Sequence, residues 1–399
     1  MRLLDEIRAN LDDDGPRLVY ADELMSRGDP RGEFIAVQCE LARLGFARRA
    51  PHWDWIGDAL VDVETIDLDR VRMLRARETA LLGENGEAWR DHNPRVFLYS
   101  TWRFERGFIA AIETSAEPER LAVLLDHLPM VVDIALGTPH GPLAFPALAQ
   151  LRAFQLGPLA PLRAAATPAL RRLVLTENVL DARELLALPA LHQLHAFHAR
   201  VRFDAGDLAR LIDEVPALED LALANSQLGS EHARALNGAP LRVLSLLGNR
   251  LGPDGTRALA EAASLVGMRA LDLRRNAIGV AGAAALGGAF PELRTLDLTA
   301  NSLGADGVRA LASGGGLGKL RELCLQHTQL DDAAVAVLAA SPLLAHVTTL
   351  SLRSNKITDA GARALARCTN LQQINLNKNQ VGKRAKQELA AATGARVLA

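Results

Sequence analysis

The chain has 399 residues, 49% of them hydrophobic and 23% charged, enough apolar side chain for one or two cores and too much for intrinsic disorder. The 45 basic and 47 acidic residues leave a formal charge of -2, so no overall positive field gathers nucleic acid or an anionic membrane. Cys39, Cys324 and Cys368 stand far apart with no CxxC spacing, which disfavours a disulfide framework and a structural zinc site. No run of 18 uncharged apolar residues occurs and the start, MRLLDEIRANLDDD, is acidic, so the expectation is a cytoplasmic protein without a membrane span.

Residues 1–45 predict three short helices. The first runs from Leu3 to Leu11 and the second, after Pro16, carries Leu18, Val19, Ala21 and Leu24 on one side. Gly28, Pro30 and Gly32 separate it from a third with Phe34, Ile35, Val37 and Leu41. So small a helical unit has too little core to stand alone and needs a partner surface. Residues 46–130 hold all four tryptophans, Trp53, Trp55, Trp89 and Trp102, expected to seal an apolar end of the repeats that follow. The same region has a basic edge at Arg70, Arg72, Arg75 and Arg77, beside Asp67, Asp69 and Glu78; it reads as a solvated helix face in preference to a phosphate-binding one.

Asp13 and Asp14, the run Pro16, Arg17, Leu18, Val19, Tyr20, Ala21, Asp22, and then Gly28, Asp29, Pro30, Arg31, Gly32, Glu33, Phe34 and Ile35 resemble a bacterial repeat-companion domain, with Glu23 where that module has tryptophan. The resemblance implies no activity; it implies that the remainder is made of repeats.

Repeats dominate the remainder. Leucine or a substitute occupies positions one, four and six of short blocks such as LRVLSLLGNRLG from Leu241 and LRTLDLTANSLG from Leu293, with further clear copies from Met268, Leu320, Val347 and Leu371. Weaker copies start at Val131, Leu151, Leu170, Leu191 and Leu218. Alternation over positions three to seven predicts a short strand, and the alanine-rich run after each block predicts a helix. Position nine is Asn178, Asn249, Asn276, Asn301, Asn355 or Asn379, whose amide is expected to satisfy backbone groups that open at the turn. The first intervals are short and proline-rich, leaving room only for an extended segment or a single turn. The expected fold is α/β, a horseshoe with a concave parallel sheet and a mostly helical convex side. The pattern resembles the leucine-rich repeat family, particularly its ribonuclease-inhibitor-like class, and also the repeat domain of Ran GTPase-activating proteins. The organisation expected is a helical module over 1–45, a linker and cap region over 46–130, and repeats with a C-terminal cap over 131–399.

Positions five and seven are expected to project from the concave face, which places Asp272, Asp297, Cys324, Ser351 and Asn375 in one stripe and Arg274, Thr299, Gln326, Arg353 and Asn377 in the next. Mixed charge favours a protein or peptide partner, with the binding centre at Asp272, Arg274, Asp297, Gln326 and Arg353 and an apolar contact from Leu247. The competing patch is His195 with Phe197, and internal pairing of Arg274 with Asp297 is the structural alternative. Cys324 with His327 and Asp297 is a weak thiol-nucleophile pattern, and His192, His195 and His198 a weak metal pattern that a strand would disperse. No cofactor-binding motif is present. The reading is a noncatalytic binding scaffold without cofactor, nucleic acid or membrane partner. The alternatives are a regulator of a small GTPase, using Arg250, Arg275 or Asn276 at the turns, and a peptide-modifying enzyme.

Overall fold

The computed structural model describes residues 2–44, 68–89, 100–128, 130–137, 143, 146–157, 159–176 and 180–398, which fall into two compact units, residues 1–177 and 178–399. Trp53, Trp55 and Asn178 lie outside the described residues.

In the first unit, Pro16 and Pro30 sit just inside two helix starts, where a missing N–H is harmless and the fixed φ suits the first turn. The helices are α1 (Arg2–Ala9), α2 (Gly15–Ser26) and α3 (Pro30–Arg43), and Asp29 caps α3 by accepting the Arg31 N–H at 2.9 Å. Phe34, Ile35, Val37 and Leu41 are buried as expected. In α2 the expected face is wrong for Leu18 and Val19, which are exposed, while Arg17, Ala21 and Leu24 turn inward at helical spacing. Gly32 lets the two helices touch: a Cβ there would lie 2.4 Å from the Ala21 carbonyl oxygen. Ile7, Ala21, Leu24, Ile35 and Cys39 share one core with Phe108 and Met130, so the short helices acquire the apolar partner they lack.

Helix α4 (Leu68–Asn85) lies along α3. Arg70 grips Glu40 with two bonds of 2.8 Å and Arg77 grips Glu33 with two of 2.6 Å, while Arg72 bonds Asp69 and Arg75 bonds the buried Glu78. All four arginines of the basic edge are therefore committed to carboxylates within the unit. A hairpin follows, β1 (Ser100–Glu105) and β2 (Phe108–Thr114), turning on Arg106 and Gly107 with φ of 50° and 86°, the two left-handed residues that a tight hairpin requires. Trp89 packs against Phe34 in a tilted arrangement, 4.8 Å between ring centroids, and meets Phe104 edge-on.

From β2 onward pairing is parallel, and Ile112, Ile134, Phe154 and Leu173 stand in one row through the strands Asp133–Leu136, Ala153–Leu156 and Arg172–Leu175. A copy beginning at Ile109 thus precedes the first one legible in the sequence. Single 3-10 turns at Pro146–Gln150 and Ala160–Ala164 cover the short intervals.

The second unit stacks successive parallel strands from Ala196–His198 to Arg396–Leu398, with Phe197, Leu221, Leu244, Leu271, Leu296, Leu323, Leu350, Ile374 and Val397 in one row. Phe197 stands at position four, so its copy begins at Leu194 and not at Leu191. The flanking separations of 21 and 27 both become 24, since 194 - 170 = 24 and 218 - 194 = 24. Leu191 lies in the middle of a 3-10 turn, Pro189–Gln193, and both it and Leu194, just after the turn, are buried; the same three-residue spacing served two different structures. A last copy at Gly394 lacks the leading leucine. Opposite the strands run helices such as Gly279–Gly287 and Gly304–Ser313, in backbone contact where a Cβ on Gly287 would lie 2.4 Å from the Leu311 oxygen.

The asparagines form the buried spine of this unit. Asn301 donates to Leu273 O and Leu298 O at 2.9 and 3.0 Å and accepts from the Asn276 and Ile278 amides at 3.0 and 3.2 Å. Asn249, Asn355 and Asn379 repeat this arrangement. Asn276 makes only the donor half, to Leu246 O and Arg274 O, and its buried Oδ1 has no partner. Position eight is left-handed in seven successive copies: Asn225, Gly248, Arg275, Ala300, His327, Ser354 and Lys378. In that conformation the amides of the first six reach the next copy's position-seven carbonyl, as Arg275 N does to Thr299 O at 3.0 Å and Ala300 N to Gln326 O at 2.8 Å.

Candidate functional site

Parallel register places equal positions side by side, so position five reads Ser245, Asp272, Asp297, Cys324, Ser351, Asn375 across six strands on the sheet face opposite the leucine row. These side chains do not project freely. Asp272 is fully buried, Ser245 and Ser351 are buried, and Asp297 and Cys324 are mostly covered, with the long Arg274 side chain lying against Asp272 and Asp297.

Asp272 is the most satisfied carboxylate. It accepts the Arg274 Nε at 2.8 Å, the Arg274 Nη2 at 2.7 Å, the Arg274 backbone N–H at 3.0 Å and the Ser245 hydroxyl at 2.8 Å. Arg274 is thus held by its own strand's aspartate, and its hydrogen bonds hold the guanidinium pKa above the ordinary arginine value. Its contact with Asp297 is longer, 3.6 Å from Nε to Oδ2. The expected internal pairing therefore exists, but the main partner is Asp272. Asp297 has one firm bond, from the Thr299 backbone N–H at 2.9 Å. Burial raises its pKa above the usual carboxylate value, and the negative Asp272 adds to that.

Beyond Asp297 the face opens. Gln326 and Arg353 are half-buried at position seven, and neither side chain has a hydrogen bond or ion pair among the described residues. The buried Ser351 Oγ is likewise unpartnered. Leu247, half-buried, occupies position seven beside Arg274. The five residues of the expected binding centre thus divide into a closed part, Asp272 with Arg274, a mostly covered Asp297 beside it, and an open part, Gln326 and Arg353.

The competing patch is corrected by the register. His195 is exposed but Phe197 is fully buried in the leucine row, so the two do not form one surface. The same shift brings forward a pair that the sequence reading missed: His198 falls at position five, where Nε2 lies 3.1 and 3.2 Å from the two oxygens of the buried Asp220. Correct spacing from Leu194 would have found it. His192 is elsewhere, its Nδ1 3.1 Å from Glu214 O, and no group of three or more His, Cys, Asp or Glu among the described residues is placed to hold a metal ion.

The setting of Cys324 disfavours a nucleophilic thiolate. Burial pushes its thiol pKa far up, with Asp297 and Glu322 adding to the shift, whereas an attacking thiol needs the opposite. His327, in the left-handed turn, is exposed. Of the turn residues considered for a GTPase-regulating role, Arg250 and Arg275 are exposed and Asn276 is fully buried in the spine, unable to reach a partner's active site. No helix among the described residues is long and apolar enough to cross a membrane.

A leucine-rich repeat family model matches residues 268–287, 292–312 and 344–366. The chain therefore contains leucine-rich repeats, and its α/β architecture is that of a leucine-rich-repeat solenoid. Among solved structures, similarity extends to the Rad7 and Elc1 complex in yeast, with 15% identity, 72% of this chain and 80% of that one covered, and a TM-score of 0.51. An internalin of Listeria monocytogenes aligns with 14% identity over 72% of this chain and 86% of that one, TM-score 0.43. A Bacteroides fragilis protein aligns with 17% identity over 54% and 68%, TM-score 0.41. The first of these supports the fold alone. No curated protein matches the chain.

Proposed function

We propose that the protein is a noncatalytic scaffold that binds a protein or peptide on the open sheet face, in the manner of the ribonuclease-inhibitor-like class of repeats, with residues 1–45 acting as a repeat-companion module docked by its helices. The observation that carries this reading is the contrast along position seven: Arg274 is fully engaged within the fold, while Gln326 and Arg353 keep unpaired donors and acceptors on a half-buried row. Polar groups left open side by side on a rigid sheet are pre-organised for an external ligand. The raised thiol of Cys324 supports the noncatalytic reading.

The test is affinity capture with the full chain as bait, repeated with Leu247→Ala, Gln326→Ala and Arg353→Glu, each checked for fold by circular dichroism. Partners held by the wild type and lost by one or more variants support the scaffold. Partners retained by all three, or no specific partner, overturn it.

A further inference from the structure

Three features place a charge pattern on the open face. Asp297 is a largely buried carboxylate with one firm hydrogen bond, and the Arg274 guanidinium beside it is already spent on Asp272. Glu322, on the next strand, adds negative charge near Cys324. Arg353, on the strand after that, is an unpaired cation. Between these poles lie the free Gln326 amide and one unpartnered hydroxyl, the nine-tenths-buried Ser351 Oγ.

The register gives the spacing. Asp297 and Arg353 are two strands apart and two positions apart along the strand, so with about 4.8 Å between strands and about 3.3 Å per residue their backbones are roughly 12 Å apart. An extended peptide covers about 13 Å in four residues, and residues four apart point to the same side, whereas residues three apart point to opposite sides.

We propose that the partner is an extended peptide segment that sets a basic side chain on Asp297 and an acidic one on Arg353, four residues apart, with its backbone bonded to Gln326. This rests on the scaffold reading above and adds the chemistry of the occupant. An arginine on the peptide would supply the fork of donors that Asp297 lacks, and a glutamate or aspartate would meet the planar guanidinium of Arg353.

The probes are fluorescein-labelled peptides with arginine and glutamate four residues apart in a serine, threonine and valine background, in both chain orders, with three-residue spacings and all-glutamine versions as controls. Anisotropy with the full chain should show at least one four-residue order binding about tenfold tighter than its three-residue and neutral counterparts. Asp297→Asn should cost that peptide about tenfold, and Arg353→Glu should switch preference from glutamate to lysine at the acidic position. Binding that ignores the charges or the spacing, or no binding by any peptide, overturns the proposal. If a captured partner is released by Leu247→Ala or Gln326→Ala but not by Asp297→Asn or Arg353→Glu, the occupant is wrong and the scaffold stands; retention by every variant removes both.

Discussion

Asn301 and Asn276 occupy the same position in neighbouring copies and are both fully buried, yet their removal should have very different consequences. Asn301→Ala leaves the Asn276 and Ile278 amides without their acceptor and the Leu273 carbonyl without its side-chain donor. A buried polar group left unpaired costs about 1–3 kcal/mol, so two orphaned amides and a weakened carbonyl sum to about 4 kcal/mol. Asn276→Ala removes bonds only to Leu246 O and Arg274 O. Leu246 O keeps Asn249 Nδ2 at 2.8 Å, and Arg274 O keeps the Gly248 amide at 2.8 Å, while the unpartnered Oδ1 disappears. The loss there should be about 1 kcal/mol, chiefly from packing. Urea unfolding followed by far-ultraviolet circular dichroism, with a common m-value, measures the difference. Two losses within 1 kcal/mol of each other would refute the argument that the acceptor half of this bond set carries the stability.

Three further outcomes follow from the same geometry. Phe197→Ala should cost about 3–5 kcal/mol while His195→Ala stays within about 0.5 kcal/mol; comparable effects in thermal melts would restore the register starting at Leu191. Ala300→Gly, at φ 58°, should stabilise by about 0.5 kcal/mol because relief of left-handed strain exceeds the added unfolded-state entropy. Gly248→Ala, whose Cβ would sit 2.2 Å from Asn225 Oδ1, should destabilise by more than 1 kcal/mol in the same melts. Asp297 holds its proton more tightly folded than unfolded, so its contribution to stability rises as pH falls from its raised folded pKa toward the model-compound value of 3.8. The charged groups around it are Asp272, Arg274 and Cys324's neighbour Glu322. Asp297→Asn should therefore be at least as stable as the wild type at neutral pH and lose that advantage in acid; a stability difference independent of pH would count against a burial-raised Asp297.

The sequence alone determined the strand row from Leu218 to Leu371, the helix after each clear block, and the turn-closing role of Asn249, Asn301, Asn355 and Asn379, because each rests on local spacing that the backbone of a strand or helix must obey. The buried residues Phe34, Ile35, Val37 and Leu41 were legible for the same reason. Where local spacing fits two structures, it decides nothing: leucines three apart suit both a strand and the 3-10 turn Pro189–Gln193, and Phe197 and His198 were misplaced with them. Copies without a leading leucine, at Ile109 and Gly394, became visible only through their partners. Alternation also says which side of a strand a residue takes, but not what its neighbours lay over it. Asp272 and Arg274 are closed on each other, Asp297 is mostly covered, Gln326 and Arg353 are left open, and the basic edge of Arg70, Arg72, Arg75 and Arg77 is neutralised by acids from as far away as Glu33 and Glu40. Those outcomes depend on side chains brought together from different strands and helices, and their distances are set only when the repeats stack.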